Sequence, residues 1–378
     1  MWKNKRHEFD EYAKRWNDKQ RYILYGAGNL GREFFDKFSD RLNIVGFCDS
    51  DETKIGKTFC GKIVDRLKNF AACKIIVTSR YYAEIKEILL LQGLEEDIDF
   101  TYEQQFEEVF SFYKYHKLVF REFDISITSH CTLNCEYCNM QMHKFSTKEF
   151  FPLEAIKREV DIYFRWVDYV QYLGLMGGEP FLHPQLCEIL RYIAKNYRER
   201  MTKLEVLTNG TFIPTEEFWE LCKEYNISIQ LTDYSSGLPS LKEKADKLIE
   251  QTRQRHVLCN VLRYDNWLDY GLDQDLNENE EQLKRKFASC NNFWRSVYQD
   301  KYYYCHLQTS AYRAGITDVV MEDVFDLSDY SDTKKIELLE YDLKKNDKGY
   351  LSFCRCCRGC SAVNDKYVAP AVQLAKGR

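Results

Sequence analysis

No run of apolar residues in this 378-residue chain reaches the roughly 18 needed for a membrane-crossing helix, so no membrane contact is expected. No basic stripe runs along it either. Charges of both signs are mixed, with a formal net charge of -5, which leaves no footprint for nucleic acid. The opening MWKNKRHEFDEYAKRW is charged and no apolar core follows, so a signal peptide is not expected. Internal repeats, low-complexity segments and a Gly/Pro-rich linker are all missing. What is present in excess is cysteine, fifteen in all. Disulfides are rare in a reducing compartment, and cysteine clusters there bind metal or do redox chemistry. A cytoplasmic location is expected. Three cysteines crowd residues 131 to 138 and four crowd residues 354 to 360. Cys48, Cys60, Cys73, Cys187, Cys222 and Cys259 are scattered and read as small buried apolar residues.

Apolar residues make up 44% of the chain and aromatics 15%, enough for full globular cores. Two series of alternating strand and helix patterns are visible. In the first, RYILYGAG, LNIVGFCDS and KIIVTS are short apolar strands, with NLGREFFDKF and YYAEIKEILLLQG as helices between and after them. A charged aromatic helix near residues 103 to 116 leads out of this unit. The second series starts at FDISIT and alternates five strand patterns with four helices as far as HVLCNVL. That alternation fits an open or partial βα barrel. From about residue 266 the periodicity weakens and six cysteines appear, which suggests a small unit stapled by metal. The expected class is α/β, with domains over 1–117, 118–265 and 266–378.

Cys131-Thr-Leu-Asn-Cys135-Glu-Tyr-Cys138 places three thiols on one short loop after the first barrel strand. Three thiolates can hold three irons of a four-iron cluster and leave the fourth open, whereas such clusters usually take four cysteines. A zinc knuckle and three unrelated buried cysteines are the alternatives. Gly177-Gly178-Glu179-Pro180 follows the second strand and Thr208-Asn209-Gly210 the third. All three motifs fall at strand C-termini, where sites in βα barrels lie. The glycines let backbone approach a ligand closely, and Glu179 offers a charged acceptor.

CTLNCEYC with GGEP downstream resembles the radical S-adenosylmethionine (SAM) superfamily. The resemblance implies a [4Fe-4S] cluster on Cys131, Cys135 and Cys138, with Tyr137 beside the third cysteine. It also implies SAM held by Gly177, Gly178, Glu179, Thr208 and Asn209. A SAM-derived 5′-deoxyadenosyl radical would then abstract hydrogen from a substrate. The later cysteines resemble the twitch or SPASM extension of that superfamily. This implies a second, auxiliary [4Fe-4S] cluster on Cys290, Cys305, Cys354 and Cys357. Cys357 and Cys360 are a rival closing pair, Cys356 is spare in either case, and a structural zinc site suits four thiolates equally well.

Gly26-Ala-Gly28-Asn-Leu-Gly31 follows a strand and opens a helix, and Asp49 closes the next strand. This is the order of a dinucleotide fingerprint, with the acid placed for a ribose diol. The unit reads as Rossmann-like, and it is either a nucleotide site or a purely structural domain. It resembles domains attached to polysaccharide and nucleotide-sugar enzymes. Together these readings give an N-terminal Rossmann-like parallel sheet, a central partial βα (TIM-like) barrel and a small C-terminal cluster-binding domain.

The expected activity is oxidation of a small molecule (a sugar, nucleotide-activated sugar or polyol) with an electron-donor protein such as flavodoxin or ferredoxin. The alternatives are a peptide-modifying enzyme forming thioether or carbon–carbon links, and a non-enzymatic redox or zinc-binding regulator. No general base is assigned. Asp233 and Tyr234 are candidate substrate contacts. His130 and His306, beside cysteines, read as outer hydrogen-bond donors or packing.

Overall fold

The computed structural model describes residues 8–375 except 71, 293 and 362. The start of the charged opening stretch, residues 1–7, lies outside the described residues. The chain divides into two compact units, 5–117 and 118–378.

The first unit contains β1 (Arg21–Tyr25), β2 (Asn43–Cys48), β3 (Thr58–Phe59), β4 (Lys62–Asp65), β5 (Lys74–Val77) and β6 (Phe100–Tyr102). Its helices are α1 (Glu8–Arg15), α2 (Asn29–Phe38), α3 (Tyr82–Leu91) and α4 (Glu103–Tyr115). The strands order as β3-β4-β2-β1-β5-β6, all parallel except the β3–β4 edge pair. The sequence suggests three strands here; the sheet has six. KIVD at β4 and FTY at β6 are too short to show a period of their own, and pairing with longer neighbours makes them strands. One face is covered by aromatics: Trp16 stacks on Tyr22, and Phe106 meets Tyr22, Phe34 and Phe38.

The second unit opens with β7 (Val119–Ser126), α5 (Leu153–Trp166), β8 (Tyr169–Met176), α6 (Leu186–Tyr197) and β9 (Met201–Thr208). It continues with α7 (Glu216–Tyr225), β10 (Ile227–Thr232), α8 (Lys242–Arg255) and β11 (Cys259–Leu262). The five strands are all parallel, in the order β11-β10-β9-β8-β7. This is the partial βα barrel. Phe123, Leu173, Leu204 and Ile229 on the outer face are fully buried, and Phe123 stacks on Tyr163 of α5 at 3.8 Å.

The rest of the unit holds β12 (Trp267–Leu268), α9 (Glu280–Ser289), β13 (Ser296–Tyr298) and β14 (Lys301–Tyr303). After these come α10 (His306–Arg313), β15 (Val324–Asp326), α11 (Lys335–Asp342) and β16 (Tyr367–Val368). β13, β14 and β15 form an antiparallel sheet, and β12 pairs with β16. The Asp124 amide bonds the Arg295 carbonyl at 2.8 Å, tying this region to the β7 edge of the barrel. Of the scattered cysteines only Cys48 and Cys222 are buried; Cys60, Cys73, Cys187 and Cys259 are half-buried.

Candidate active site

The cysteine loop leaves β7 and is held against the end of β8. The Gly178 amide donates to the Thr128 carbonyl at 2.9 Å and the Glu179 amide to the His130 carbonyl at 2.8 Å. A Cβ on Gly178 would lie 2.0 Å from the His130 oxygen. One on Gly177, whose φ is +141°, would lie 2.4 Å from the Thr128 oxygen. The backbone of the cysteine loop therefore itself needs these glycines.

Each thiol meets N–H donors. Cys131 Sγ accepts from the Leu133 amide at 3.5 Å and from Asn209 Nδ2 at 3.6 Å. Cys135 Sγ accepts from Gln373 Nε2 at 3.1 Å. Cys138 faces the amides of Met142, Met140 and Gln141. Burial pushes Cys131 up to about 12 and Cys135 up to about 11, and each feels the Cys138 thiol. Buried neighbouring thiols of this kind ionise only with a cation to compensate them, which iron supplies. Among the described residues, no three His, Cys, Asp or Glu side chains gather tightly enough to hold one metal ion. Three thiols supplied with N–H donors are the chemistry of a cluster's ligand set, and a cluster would place one iron at each. Tyr137 is half-buried beside the third cysteine. His130 stacks on Phe150 at 4.2 Å.

Glu179 joins the three motifs. It is fully buried. Its Oε1 accepts from the Thr208 hydroxyl at 2.8 Å and the Phe181 amide at 3.2 Å, and its Oε2 from the Asn209 amide at 2.9 Å. Burial pushes its carboxyl up to about 7 despite these donors. Asn209 in turn reaches Cys131 and the Thr132 hydroxyl, the latter at 3.2 Å. The CTLNCEYC, GGEP and TNG segments thus form one hydrogen-bonded assembly at the strand ends.

The inner face of the barrel is polar. Glu122, Tyr172 and Lys203 share one row across the strands; Asp124, Gly174, Glu205 and Ser228 share the next. Glu205 accepts from Ser228 Oγ at 2.9 Å, Asn260 Nδ2 at 2.7 Å and Lys203 Nζ at 2.6 Å. Asp124 is 2% exposed, and its carboxyl meets that of Glu122 in a hydrogen bond that one of the two must be protonated to make. Burial, Glu122 and Glu205 hold its carboxyl well above the usual range, and burial pushes Glu122 up to about 7. Interiors of closed βα barrels are filled by branched apolar side chains. This one carries groups suited to a polar ligand. Sequence reasoning missed these residues, although REFDIS and KLEV show the period-2 alternation that signals them. Of the candidate substrate contacts, Asp233 is engaged with Arg263 at 2.9 Å, and Tyr234 packs edge-on against Trp267.

A narrow pocket is lined by Cys290, Cys305, Cys354, Cys357 and Cys360. Cys290 caps the end of α9. Cys305 opens α10, two residues past the end of β14. The Cys354 and Cys357 thiols are both raised by burial and by Cys290 and Cys305, whereas Cys360 feels only Cys290 among the thiols. Cys360 accepts from the Tyr270 hydroxyl at 3.6 Å. Cys356 is not on the pocket, and its thiol donates to the Phe353 carbonyl at 3.1 Å. Asn292 Nδ2 donates to Cys305 Sγ at 2.7 Å, a partner with no sequence signal. His306 is fully buried against Trp294, neither ring nitrogen meeting a partner; burial pushes its pKa down to about 3. Among the described residues it packs and donates to no protein group.

In the first unit, Gly31 lies so close to the Gly26 oxygen that a Cβ would stand 2.0 Å away, while the space over Gly28 is open. Asp49 Oδ2 accepts from the Ala27 amide and Lys54 Nζ, both at 2.8 Å, and Oδ1 from the Asp51 amide at 2.9 Å. The acid expected on a ribose diol is occupied in bracing the glycine turn.

Residues 125–264 match the family model of the radical SAM superfamily. That span of the chain is a radical SAM domain. Over 103 residues it is 33% identical to the antilisterial bacteriocin subtilosin biosynthesis protein AlbA of Bacillus subtilis (strain 168), covering 27% of this chain and 21% of that protein. Over 112 residues it is 35% identical to a probable GTP 3′,8-cyclase of Pyrococcus abyssi, covering 29% and 34%. The chain thus spans about a fifth to a third of the length of these two relatives. Among solved structures, anSMEcpe with bound AdoMet superposes with a TM-score of 0.43 at 14% identity, over 64% of this chain and 89% of that one. BtrN in complex with AdoMet and 2-DOIA superposes with a TM-score of 0.40 at 14% identity, over 68% and 100%. Among the described residues no helix is long and apolar enough to cross a membrane.

Proposed function

We propose that this chain is a radical SAM oxidoreductase that withdraws a hydrogen atom and then an electron and a proton from a hydroxylated small molecule. Cys131, Cys135 and Cys138 would hold the [4Fe-4S] cluster, and Gly177, Gly178, Glu179, Thr208 and Asn209 would border SAM. When bound, the reduced cluster and SAM supply the 5′-deoxyadenosyl radical that abstracts hydrogen; the protein orients and shields this chemistry.

The observation that carries the oxidative reading is the second thiol pocket, in the same compact unit as the first triplet. Cys290, Cys305, Cys354 and Cys357 would hold an auxiliary cluster there, and such a cluster suits uptake of the second electron. The inner barrel face supports a sugar or polyol substrate, since Asn260, Ser228, Tyr172 and Lys203 are groups that bind hydroxyls. Glu122, half-buried and raised to about 7 by burial, is the carboxyl we assign to take the proton. Glu122, Asp124 and Glu205 face Lys203, with Arg121 and Arg295 acting on Glu122, so no excess of positive charge waits there for a phosphate, which favours a neutral or amine-bearing polyol. A flavodoxin or ferredoxin would supply the reducing electron.

The similarity to a bacteriocin biosynthesis protein favours a second reading, a peptide substrate. Screening polyols, amino sugars, nucleotide sugars and peptides for loss of one hydrogen pair, by mass spectrometry under anaerobic reducing conditions, separates the two. A two-mass-unit loss from a polyol or amino sugar supports oxidation; a crosslinked peptide product overturns it.

A further inference from the structure

Residues 371–374 run antiparallel to the cysteine loop. The Glu136 amide donates to the Val372 carbonyl and the Leu374 amide to the Asn134 carbonyl, both at 2.8 Å, with Cys135 and Gln373 paired between them. Gln373 closes the contact with its side chain. Its Oε1 accepts from the Asn134 amide at 2.8 Å, which fixes the opposite end of the group as the amine. That amine donates to Cys135 Sγ at 3.1 Å and to the Ala371 carbonyl at 2.8 Å. Every polar atom of the amide is thus engaged. Ala371 is fully buried with φ at +56°, a backbone that alanine adopts only where its surroundings impose it. Cys131 and Cys138 receive amide donors from their own loop, and Cys131 also takes Asn209 Nδ2, whereas Cys135 takes its side-chain donor from a residue 238 positions away.

We propose that residues 371–374 are a strap over the cysteine loop, and that Gln373 is a positioning residue whose amine bonds the Cys135 sulfur, raising the reduction potential of the cluster and closing that side to solvent. This rests on the cluster reading of Cys131, Cys135 and Cys138. Hydrogen bonds to cluster sulfurs and solvent exposure are the protein's main levers on potential. A donor aimed at a thiolate ligand stabilises the more negative, reduced form. The strap pairs with the loop and is no strand of the five-stranded sheet, so it can be perturbed without dismantling the barrel.

Two substitutions separate the parts. Gln373→Glu keeps the acceptor for Asn134 and replaces the amine with oxygen; Gln373→Leu removes both. Each is made in the full chain, in a Cys354→Ala background so that one cluster signal is read. Each is then reconstituted anaerobically and titrated reductively by EPR. Both variants should move the midpoint potential to more negative values, Gln373→Glu further, with iron content unchanged. In the iron-free chain, alkylation of Cys135 by iodoacetamide should quicken severalfold in Gln373→Leu while that of Cys138 does not. This second readout decides the matter even if a variant takes up no iron. An unchanged midpoint in both variants, or unchanged Cys135 alkylation, overturns the strap alone. A parent chain that forms no four-iron cluster overturns the reading beneath it and the strap together.

Discussion

Glu179 at the end of the second barrel strand accepts a hydrogen bond from the Thr208 hydroxyl at the end of the third, 2.8 Å away, and neither group reaches solvent. The same carboxylate takes the Asn209 amide, and Asn209 reaches the Cys131 sulfur. One buried acid therefore sets the spacing between the cysteine loop and the strands expected to border SAM.

Glu179→Gln tests that role. The amide can serve Thr208, whose hydroxyl rotates, but it then aims N–H at the fixed Asn209 or Phe181 amide. A buried donor left without an acceptor costs about 1–3 kcal/mol. A matching fall in unfolding free energy of the iron-free chain is expected from denaturant titration. An unchanged midpoint would remove Glu179 from this structural role.

Gly178→Ala should be worse tolerated than its chemistry suggests. The added methyl would stand 2.0 Å from the His130 oxygen, so the loop must move. Forced overpacking costs about 1–3 kcal/mol. The expected result is lost iron binding at the first cluster with the second retained, read by iron analysis. Full iron content would show that the loop position is dispensable.

The barrel acids give a pH dependence. Asp124 and Glu122 hold protons to higher pH in the folded chain than in the unfolded one, where carboxyls release them near 4. The folded state binds more protons above that point, so stability falls as pH rises from about 4 through 7. Glu205 deepens the effect, and Arg121 and Arg295 oppose it at Glu122. Asp124→Asn should flatten thermal unfolding between pH 5 and 8 and raise stability at the upper end. Parallel curves for parent and variant would contradict this.

Cys354→Ala should remove about half the iron, the share of one of two four-iron clusters, while leaving SAM cleavage intact. Cys356→Ala should remove none, because its thiol is off the pocket and bonded to the Phe353 carbonyl. The reverse pattern would reassign the ligands.

The barrel was legible because its five strands and four helices are long enough to show their periods, and the cysteine spacing because it is local. The short strands β4 and β6 carried no period. Nothing in the spacing could show that Cys305 opens a helix, since KYYYC reads as continuous strand. The Gln373 and Asn292 contacts join residues far apart in the chain or on separate turns, and single residues of that type leave no pattern. The inner-face acids were visible as alternation but were hidden by the neighbouring motif, which drew the reading to the strand ends.

The most direct test is SAM cleavage by the anaerobically reconstituted, dithionite-reduced chain beside its Cys135→Ala variant. The expected result is about eight irons per parent chain, formation of 5′-deoxyadenosine by the parent, and none by the variant. Cleavage that persists in Cys135→Ala, or a parent that binds zinc and cleaves nothing, would contradict the assignment of the site.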